Sequence, residues 1–522
     1  MPRTLITVDR DSNEPLYRQL RKAIVGDIAA GTLDIHSPLP SSRQLADELG
    51  LSRNTINAAY QELIAEGLID AHPRRGLFIN PDIKALTERA RPDQQRSSHS
   101  CIDQPRSMSK PAPHGFDWSA RLGPAPVTGL PHVRKPVDWH RMPFPFVVGQ
   151  VDVTTFPTRA WSRALRDALL PEHAHASLSD AVSADDSLLT SVLCQHVLPT
   201  RGISATPDQI LITMGSQHAL HLLAAALLRP GGHAGMEEPG YLDARQIFTR
   251  AGARIVPLPV DGSGIVPPTD HEEREGNASS EGSTGLGKLD LLYLTPSHHH
   301  PTNVTLSMPR RHQILADLAA SDTVVIEDDY DSELRYAGSP APALKSLDTT
   351  GRVVYLGTFT KFLAPGLRMG FMVGSPELIE RLRERRRYEL RHPPGQMQRA
   401  LALLIGSGEY QRIVRQYRLR MRRQWEEVTE AVATHLPWQE PGPAGGGSLW
   451  MTGPENLDCR RLQAAALSRG VVVERGDIFF AAQQPPLNHF RLGFGAIPLE
   501  RIEPGVRRLA RITEQLLSAK GA

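Results

Sequence analysis

The chain has 522 residues, 59 Lys and Arg against 57 Asp and Glu, and a formal charge of +2, so it can bury two or more cores and carries no global field for nucleic acid. No apolar run is long enough to span a membrane, and the first residues lack a secretory segment. Three widely spaced cysteines (Cys101, Cys194, Cys459) give neither a disulfide framework nor a zinc pattern. A reducing cytoplasm, with no membrane partner, is the expected setting.

Residues 10–80 read as a winged helix-turn-helix. Leu16, Leu20, Ile24 and Ile28 recur every four residues and predict an amphipathic helix closed by Gly31. Ser41 with Gln44 fits a capping box that opens a second helix carrying Leu45, Ala46 and Leu49 inward and ending at Gly50. Ser52 caps a third, with Ile56, Tyr60, Leu63 and Ile64 on one face and Gly67 as its stop. Leu68 to Ile79 then reads as strand, basic turn, strand. Two short helices and a wing are the docking parts of a DNA reader.

The expected DNA contacts are Ser42, Arg43, Arg53, Asn54, Thr55, Asn57, Arg74 and Arg75. Arg53 and Asn57 suit guanine and adenine edges, and Ser42 and Thr55 suit phosphates. Arg74 and Arg75 on the wing suit the minor groove or the backbone. Residues 1–80 hold nine Lys and Arg against ten Asp and Glu, so the signal is local; for each residue alone, an exposed polar side chain is the competing reading. Leu39 to Ala46 and Ser52 to Tyr60 closely resemble the GntR family of bacterial repressors.

Residues 81–140 are rich in proline and lack periodicity, which predicts an extended linker. The expected organisation is a DNA-binding domain over 1–80, this linker over 81–140, and an effector and dimerisation domain over 141–522. From about 141 onward short apolar strands alternate with helices, an α/β pattern. Gln209–Thr213, Asp290–Thr295, Thr323–Glu327 and Val353–Leu356 read as buried strands. Arg-rich stretches such as Leu378–Leu390 and Ile413–Val428 alternate with apolar residues at helical spacing and read as solvated helix faces. Residues 270–288, rich in Glu, Gly and Ser, read as a surface insertion without chemistry.

Lys361, one of only eight lysines, lies where an apolar strand pattern ends in a turn rich in Thr, Gly and Pro. A lysine in an apolar pocket loses its charge easily and attacks an aldehyde, which is how pyridoxal 5'-phosphate is held as a Schiff base. Thr358 and Arg368 can reach its phosphate. Gly215-Ser216-Gln217, at a strand-to-helix turn, can receive the same phosphate on backbone N–H groups. Tyr241 can stack on the pyridine ring, or be an ordinary loop aromatic. A carboxylate metal site from Asp328, Asp329 and Asp331 is a rival reading, but adjacent side chains on a strand point to opposite faces. The same alternation argues against one ion shared by His298, His299 and His300.

The stretch around Lys361 resembles the lysine motif of fold-type I aminotransferases. Joined to the GntR motifs, it makes the chain resemble the MocR subfamily of regulators. The resemblance implies an α/β large domain of fold-type I aminotransferase kind behind an α+β winged helix-turn-helix. It implies that Asp328 holds the protonated ring nitrogen, that Tyr330 bonds the ring's phenolic oxygen, and that His298 lies beside the cofactor. Arg491 matches the arginine that grips a substrate carboxylate, here an effector's. His299 stands where Gln is usual, Asn303 where Gly is usual, and Leu178–Asp185 and Leu242-Asp243 depart from motifs bordering the effector pocket. The implied protein is a homodimer with DNA domains swapped head to tail, binding double-stranded operator DNA and a small amino compound. The implied function is a PLP-dependent transcriptional regulator with at most residual transamination; the alternative is a working aminotransferase with an accessory DNA-binding domain.

Overall fold

The computed structural model describes Asp9 and residues 14–30, 33, 37–72, 75–80, 118, 121, 133, 135–268, 285–336, 341–361, 363–438, 442 and 445–518. Gly31, Arg74, most of the expected linker and most of the 270–288 insertion lie outside them. The chain divides into two compact units, 1–123 and 124–522.

The first unit has α1 (Leu16–Ala30), α2 (Ser42–Leu49), α3 (Arg53–Ala65), and β1 (Ile69–His72) paired antiparallel with β2 (Gly76–Ile79). Leu20, Ile24, Leu45, Ile56, Ala59, Tyr60 and Leu63 form its buried core, and Ile28, Leu49 and Ile64 pack partly buried against it. Each large apolar side chain buried here contributes about 1.5–3 kcal/mol against the entropy of ordering it. Ser41 Oγ accepts from the Gln44 amide at 3.2 Å, as expected. The Gln44 side chain, however, donates forward to Glu48 Oε1 at 3.1 Å, so only half of the capping box forms. Ser52 Oγ accepts from the Thr55 amide at 3.1 Å and starts α3. Gly50 at φ 61° lets the chain leave α2 left-handed and turn into α3. Tyr60 donates to the Pro40 carbonyl at 2.8 Å, which locks α3 against the start of α2.

The second unit is built on an eight-stranded sheet. Its strands are β4 (Ile210–Thr213), β5 (His233–Glu238), β6 (Arg254–Asp261), β7 (Gly264–Ile265), β8 (Leu291–Leu294), β9 (Val324–Asp329), β10 (Val353–Thr358) and β11 (Gly370–Val373), and β3 (Phe144–Pro145) precedes them. The spatial order is β4-β11-β10-β9-β8-β5-β6-β7. Strands β10, β9, β8, β5 and β6 run parallel, and β11 is antiparallel to both β10 and β4. The four strands read from the sequence are β4, β8, β9 and β10.

Helices cover both faces, as a parallel sheet requires. Leu291, Tyr293, Ile326, Val354 and Leu356 face a layer that includes Leu220, Phe248 and Ile379, while Leu292, Leu294, Val325 and Val353 face the layer of Ile314 and Leu318. A second core joins the antiparallel strands β12 (Ser448–Thr452), β14 (Glu474–Arg475) and β15 (His489–Gly493) to helices Glu409–His435 and Ile502–Ser518; β13 (Val471–Val472) pairs with β3.

The Arg-rich helix Pro376–Leu390 is not solvated all along its charged side. Arg386 is fully buried: Nη1 donates to Asp185 Oδ1 and to the Ile212 carbonyl, both at 2.6 Å. Arg383 reaches Asp185 Oδ2 at 3.3 Å. A charge run read as a surface thus hides an ion pair that fastens the helix to β4. Among the described residues no helix is long and apolar enough to cross a membrane.

Candidate functional site

Strand register brings the residues expected to reach a phosphate to one end of the sheet. Thr213 in β4 pairs with Gly370 in β11, and Gly370 pairs with Thr358 in β10. The turns after β4 and β10, and Arg368 before β11, therefore meet at that end. Gly215 has φ 81°, a conformation suited to glycine, and a Cβ there would lie 3.3 Å from Arg368 Nη2. Arg368 itself sits at φ 50°, with Nη2 donating to the Met214 carbonyl at 3.2 Å. A non-glycine residue in this region costs about 1–3 kcal/mol and persists where its surroundings hold it. Ser216 opens the helix Ser216–Leu227, directly after Gly215. The Thr358 hydroxyl lies 3.0 Å from that of Thr360. Gln217 and Tyr241 both donate to Asp243 Oδ2, so Asp243 fixes the two residues relative to each other.

Lys361 follows β10 and is half-buried. Burial lowers its pKa, Arg491 lowers it further, and Asp331 and Asp328 oppose the shift. Its Nζ lies 5.5 Å from the centre of the Tyr330 ring. It lines a cavity with Val148, Gly149, His300, Tyr330, Asp331 and Arg491.

Asp328 and Asp329 face opposite ways. Asp329 Oδ2 accepts from Arg201 Nε at 2.6 Å and from the Tyr355 hydroxyl at 2.8 Å. Asp328 Oδ2 accepts from the Tyr293 hydroxyl at 2.9 Å, and among the described residues Asp328 Oδ1, like Asp329 Oδ1, is buried without a hydrogen-bond partner. Burial pushes Asp328 up to about 7, against the pull of Tyr293 and Lys361. A buried acceptor with no donor is what a protonated ring nitrogen would satisfy. That atom, with the glycine cradle beside Arg368 and a lysine at the cavity wall, fits pyridoxal phosphate. Tyr241 stacks at 27° on Tyr293, and His300 meets it edge-on at 5.0 Å.

The three histidines take three different partners. His298 pairs with Asp331 Oδ1 at 2.9 Å and lies outside the cavity lining. His299 Nδ1 bonds the Thr302 hydroxyl at 2.7 Å, and burial lowers its pKa to about 3. His300, weighed from sequence only as a metal ligand, lines the cavity and lies 3.1 Å from Arg491 Nη1. Asn303, where the resembled family has Gly, sits at φ 63°, a region asparagine tolerates better than most residues. Among the described residues no three His, Cys, Asp or Glu side chains are placed to hold a metal.

Arg491, in β15, is buried. Nη1 donates to Glu474 Oε2 and Nη2 to Ser448 Oγ, both at 3.0 Å, and Nε has no partner. Its guanidinium covers the Phe479 ring at 5.3 Å. Glu474 and Tyr293 were not singled out from sequence, Asp243 only as a departure from a family motif, and His300 only as a rejected metal ligand. Each acts through a partner more than 15 residues away or through strand register, which local spacing does not carry. Leu178–Asp185 contributes nothing to this cavity lining. Leu178 is exposed, Asp180 pairs with the exposed Arg391, and Asp185 holds Arg386.

In the first unit Arg43, Arg53, Asn54, Asn57 and Arg75 are exposed, and Ser42 and Thr55 are half-buried. Asn54 and Asn57 lie away from the buried stripe of Ile56, Ala59, Tyr60 and Leu63. The Thr55 hydroxyl is 2.8 Å from Ser52 Oγ, so it is already part of the cap. Arg75 lies 6.0 Å from the Phe78 ring.

Residues 16–79 match the family model of bacterial regulatory proteins of the gntR family, and residues 148–509 match that of aminotransferase class I and II. The HTH-type transcriptional regulator TauR of Rhodobacter capsulatus is 36% identical over 497 residues, 95% of this chain and 96% of its own. The probable rhizopine catabolism regulatory protein MocR of Rhizobium meliloti is 32% identical over 430 residues, 81% of this chain and 77% of its own. In structure, the α-aminoadipate aminotransferase LysN of Thermus thermophilus, complexed with N-(5'-phosphopyridoxyl)-L-leucine, aligns with a TM-score of 0.66 at 27% identity, covering 77% of this chain and 100% of its own.

Proposed function

Because the chain belongs to the MocR subfamily of GntR-type transcriptional regulators, with a gntR-family domain fused to an aminotransferase class I and II domain, we propose that it binds pyridoxal phosphate at Lys361 and operator DNA through α2, α3 and the wing. A small amino compound at the first site changes occupancy of the second. The observation that carries this reading is the convergence of Lys361, the Gly215 cradle and the unpartnered Asp328 Oδ1 in a chain that begins with a helix-turn-helix.

Ser216, Thr358 and Arg368 would hold the phosphate, Tyr241 would cover the ring, and Tyr330 would meet its phenolic oxygen. Bound there, pyridoxal phosphate supplies an aldehyde and an electron-withdrawing ring. Lys361 Nζ, whose pKa burial lowers, would be the nucleophile for the aldehyde. Asp328 would keep a proton on the ring nitrogen, and Arg491 would offer its planar fork to an acidic group. Asp328→Asn should slow the absorbance response to added amino acid about 100-fold at equal cofactor loading, because an amide cannot balance the charged ring nitrogen. A rate equal to the parent's would move the role to another acid.

The regulatory reading is tested by sequencing DNA fragments retained by the purified protein with and without pyridoxal phosphate. Arg53→Ala should cost about 1–3 kcal/mol on the retained site and relax base preference there. Arg75→Ala should weaken specific and random DNA alike and lower the salt slope by about 1. Parent-like binding by both variants would remove the DNA face. The protein acts as a cytoplasmic homodimer joined through its large domains, a two-fold arrangement that presents two DNA domains to two half-sites. Sedimentation at micromolar concentration should give twice the chain mass, and a cofactor-saturated monomer would contradict this. A working aminotransferase is the second reading, favoured by the intact set Lys361, Asp328, Tyr330 and Arg491; steady turnover of an amino acid with a keto acid would establish it.

A further inference from the structure

Lys135, ahead of the sheet in sequence, brings a second amine behind Gly149, a residue of the cavity lining. The point where a Cβ of Gly149 would lie is 3.4 Å from Lys361 Nζ and 3.9 Å from Lys135 Nζ, so both amines border one spot. Lys135 Nζ donates to the carbonyl of Val148, which lines the cavity, and this is its one hydrogen bond among the described residues. An ammonium has three donors, so two remain for a ligand. The segment is anchored on both sides of Lys135. Val133 packs on Leu242, Ile478 and Phe479, and Trp139 packs on Val147, Val472 and Ala496.

The charges nearby set what this amine could receive. Burial lowers the pKa of Lys135, Lys361 and Arg491 add to that, and Glu474 and Asp243 oppose it. Glu474 already bonds Arg491 at 3.0 Å. Three cations thus meet at this side of the cavity, and an incoming anion finds Arg491 half-engaged.

We propose that Lys135 is a ligand-binding residue that, together with Arg491, receives the acidic group of the amino compound whose amine meets Lys361. The inference rests on the proposed function and narrows its ligand to amino acids in the broad sense, molecules carrying both an amine and an acid. Lys135 selects them over simple amines by charge rather than by shape, since an ammonium on a four-carbon stem is a movable point charge.

The test titrates the cofactor-loaded protein with glycine, β-alanine and ethylamine, following cofactor absorbance. Lys135→Met should weaken the response to at least one of the two acids about 10-fold and leave ethylamine unchanged, and Lys135→Arg should recover most of the loss. Mass-spectrometric mapping of acetylation gives a second readout: glycine or β-alanine should protect Lys135 in the parent, and ethylamine should not. An unchanged preference for acids over ethylamine in Lys135→Met, or labelling of Lys135 indifferent to the acids, would overturn the proposal. A parent that carries no cofactor on Lys361 refutes the proposed function instead, and acetylation with and without the acids still decides the role of Lys135.

Discussion

Lys361→Ala will abolish all covalent attachment of pyridoxal phosphate while leaving some of it anchored through its phosphate. The parent protein should be yellow, and borohydride reduction followed by peptide mapping should place the label on Lys361. The argument is positional. Lys361 sits at the end of β10, on the edge of the sheet where β4 and β11 deliver Gly215 and Arg368. Burial holds its amine below the usual lysine range, which raises the neutral fraction that attacks an aldehyde. Lys135, the other amine beside Gly149, is the built-in control. A label on Lys135 in the parent, or undiminished labelling in the variant, would defeat the assignment.

Asp185→Ala should destabilise the large unit by about 3–5 kcal/mol, the cost of leaving a buried charge without its counterion. Arg386 is fully buried, its Nη1 bonds Asp185 at 2.6 Å, and its Nε and Nη2 have no partners. Asp185 also accepts from Arg383 and from the Ile212 amide. Removing it therefore strands one guanidinium in the core and weakens the tie to β4. Urea unfolding read by tryptophan fluorescence measures the loss, and a change under about 1 kcal/mol would show that water replaces the carboxylate. Asp185→Asn, which keeps a hydrogen-bond acceptor, should cost less.

These residues also mark where the sequence was readable. Short-range signals carried through: the caps at Ser41 and Ser52, the left-handed exit at Gly50, and the apolar runs that became β4, β8, β9 and β10. Alternation along a strand was enough to separate Asp328 from Asp329 before their partners were visible. What stayed hidden depends on pairs distant in sequence. Nothing local announces that Arg386 leaves the solvated side of its helix for Asp185, 201 positions away. Nothing near His300 says that it, and not His298, reaches the cavity, since that depends on where β15 carries Arg491. Tyr293 reads as one more apolar strand residue until β9 brings Asp328 to its hydroxyl.

Strand β9 ends in three consecutive buried acids, each with its own clientele: Glu327 accepts from the amides of Leu344 and Lys345, Asp328 from Tyr293, and Asp329 from Arg201 and Tyr355. The last two each keep one oxygen with no hydrogen-bond partner among the described residues, and the folded pKa of Asp328, about 7, lies above its ordinary 3.8. An acid whose pKa is raised by folding favours the native state below the unfolded pKa, and that advantage is lost as pH rises through 3.8 towards 7. Near neutral pH the chain without its cofactor thus folds around a carboxylate that resists ionising. A positively charged ring nitrogen beside it removes that resistance. On this reading the vitamin-derived group is part of the folding equilibrium as well as the signal, and a cell short of it would hold less of the intact regulator, not merely the same amount in a different state.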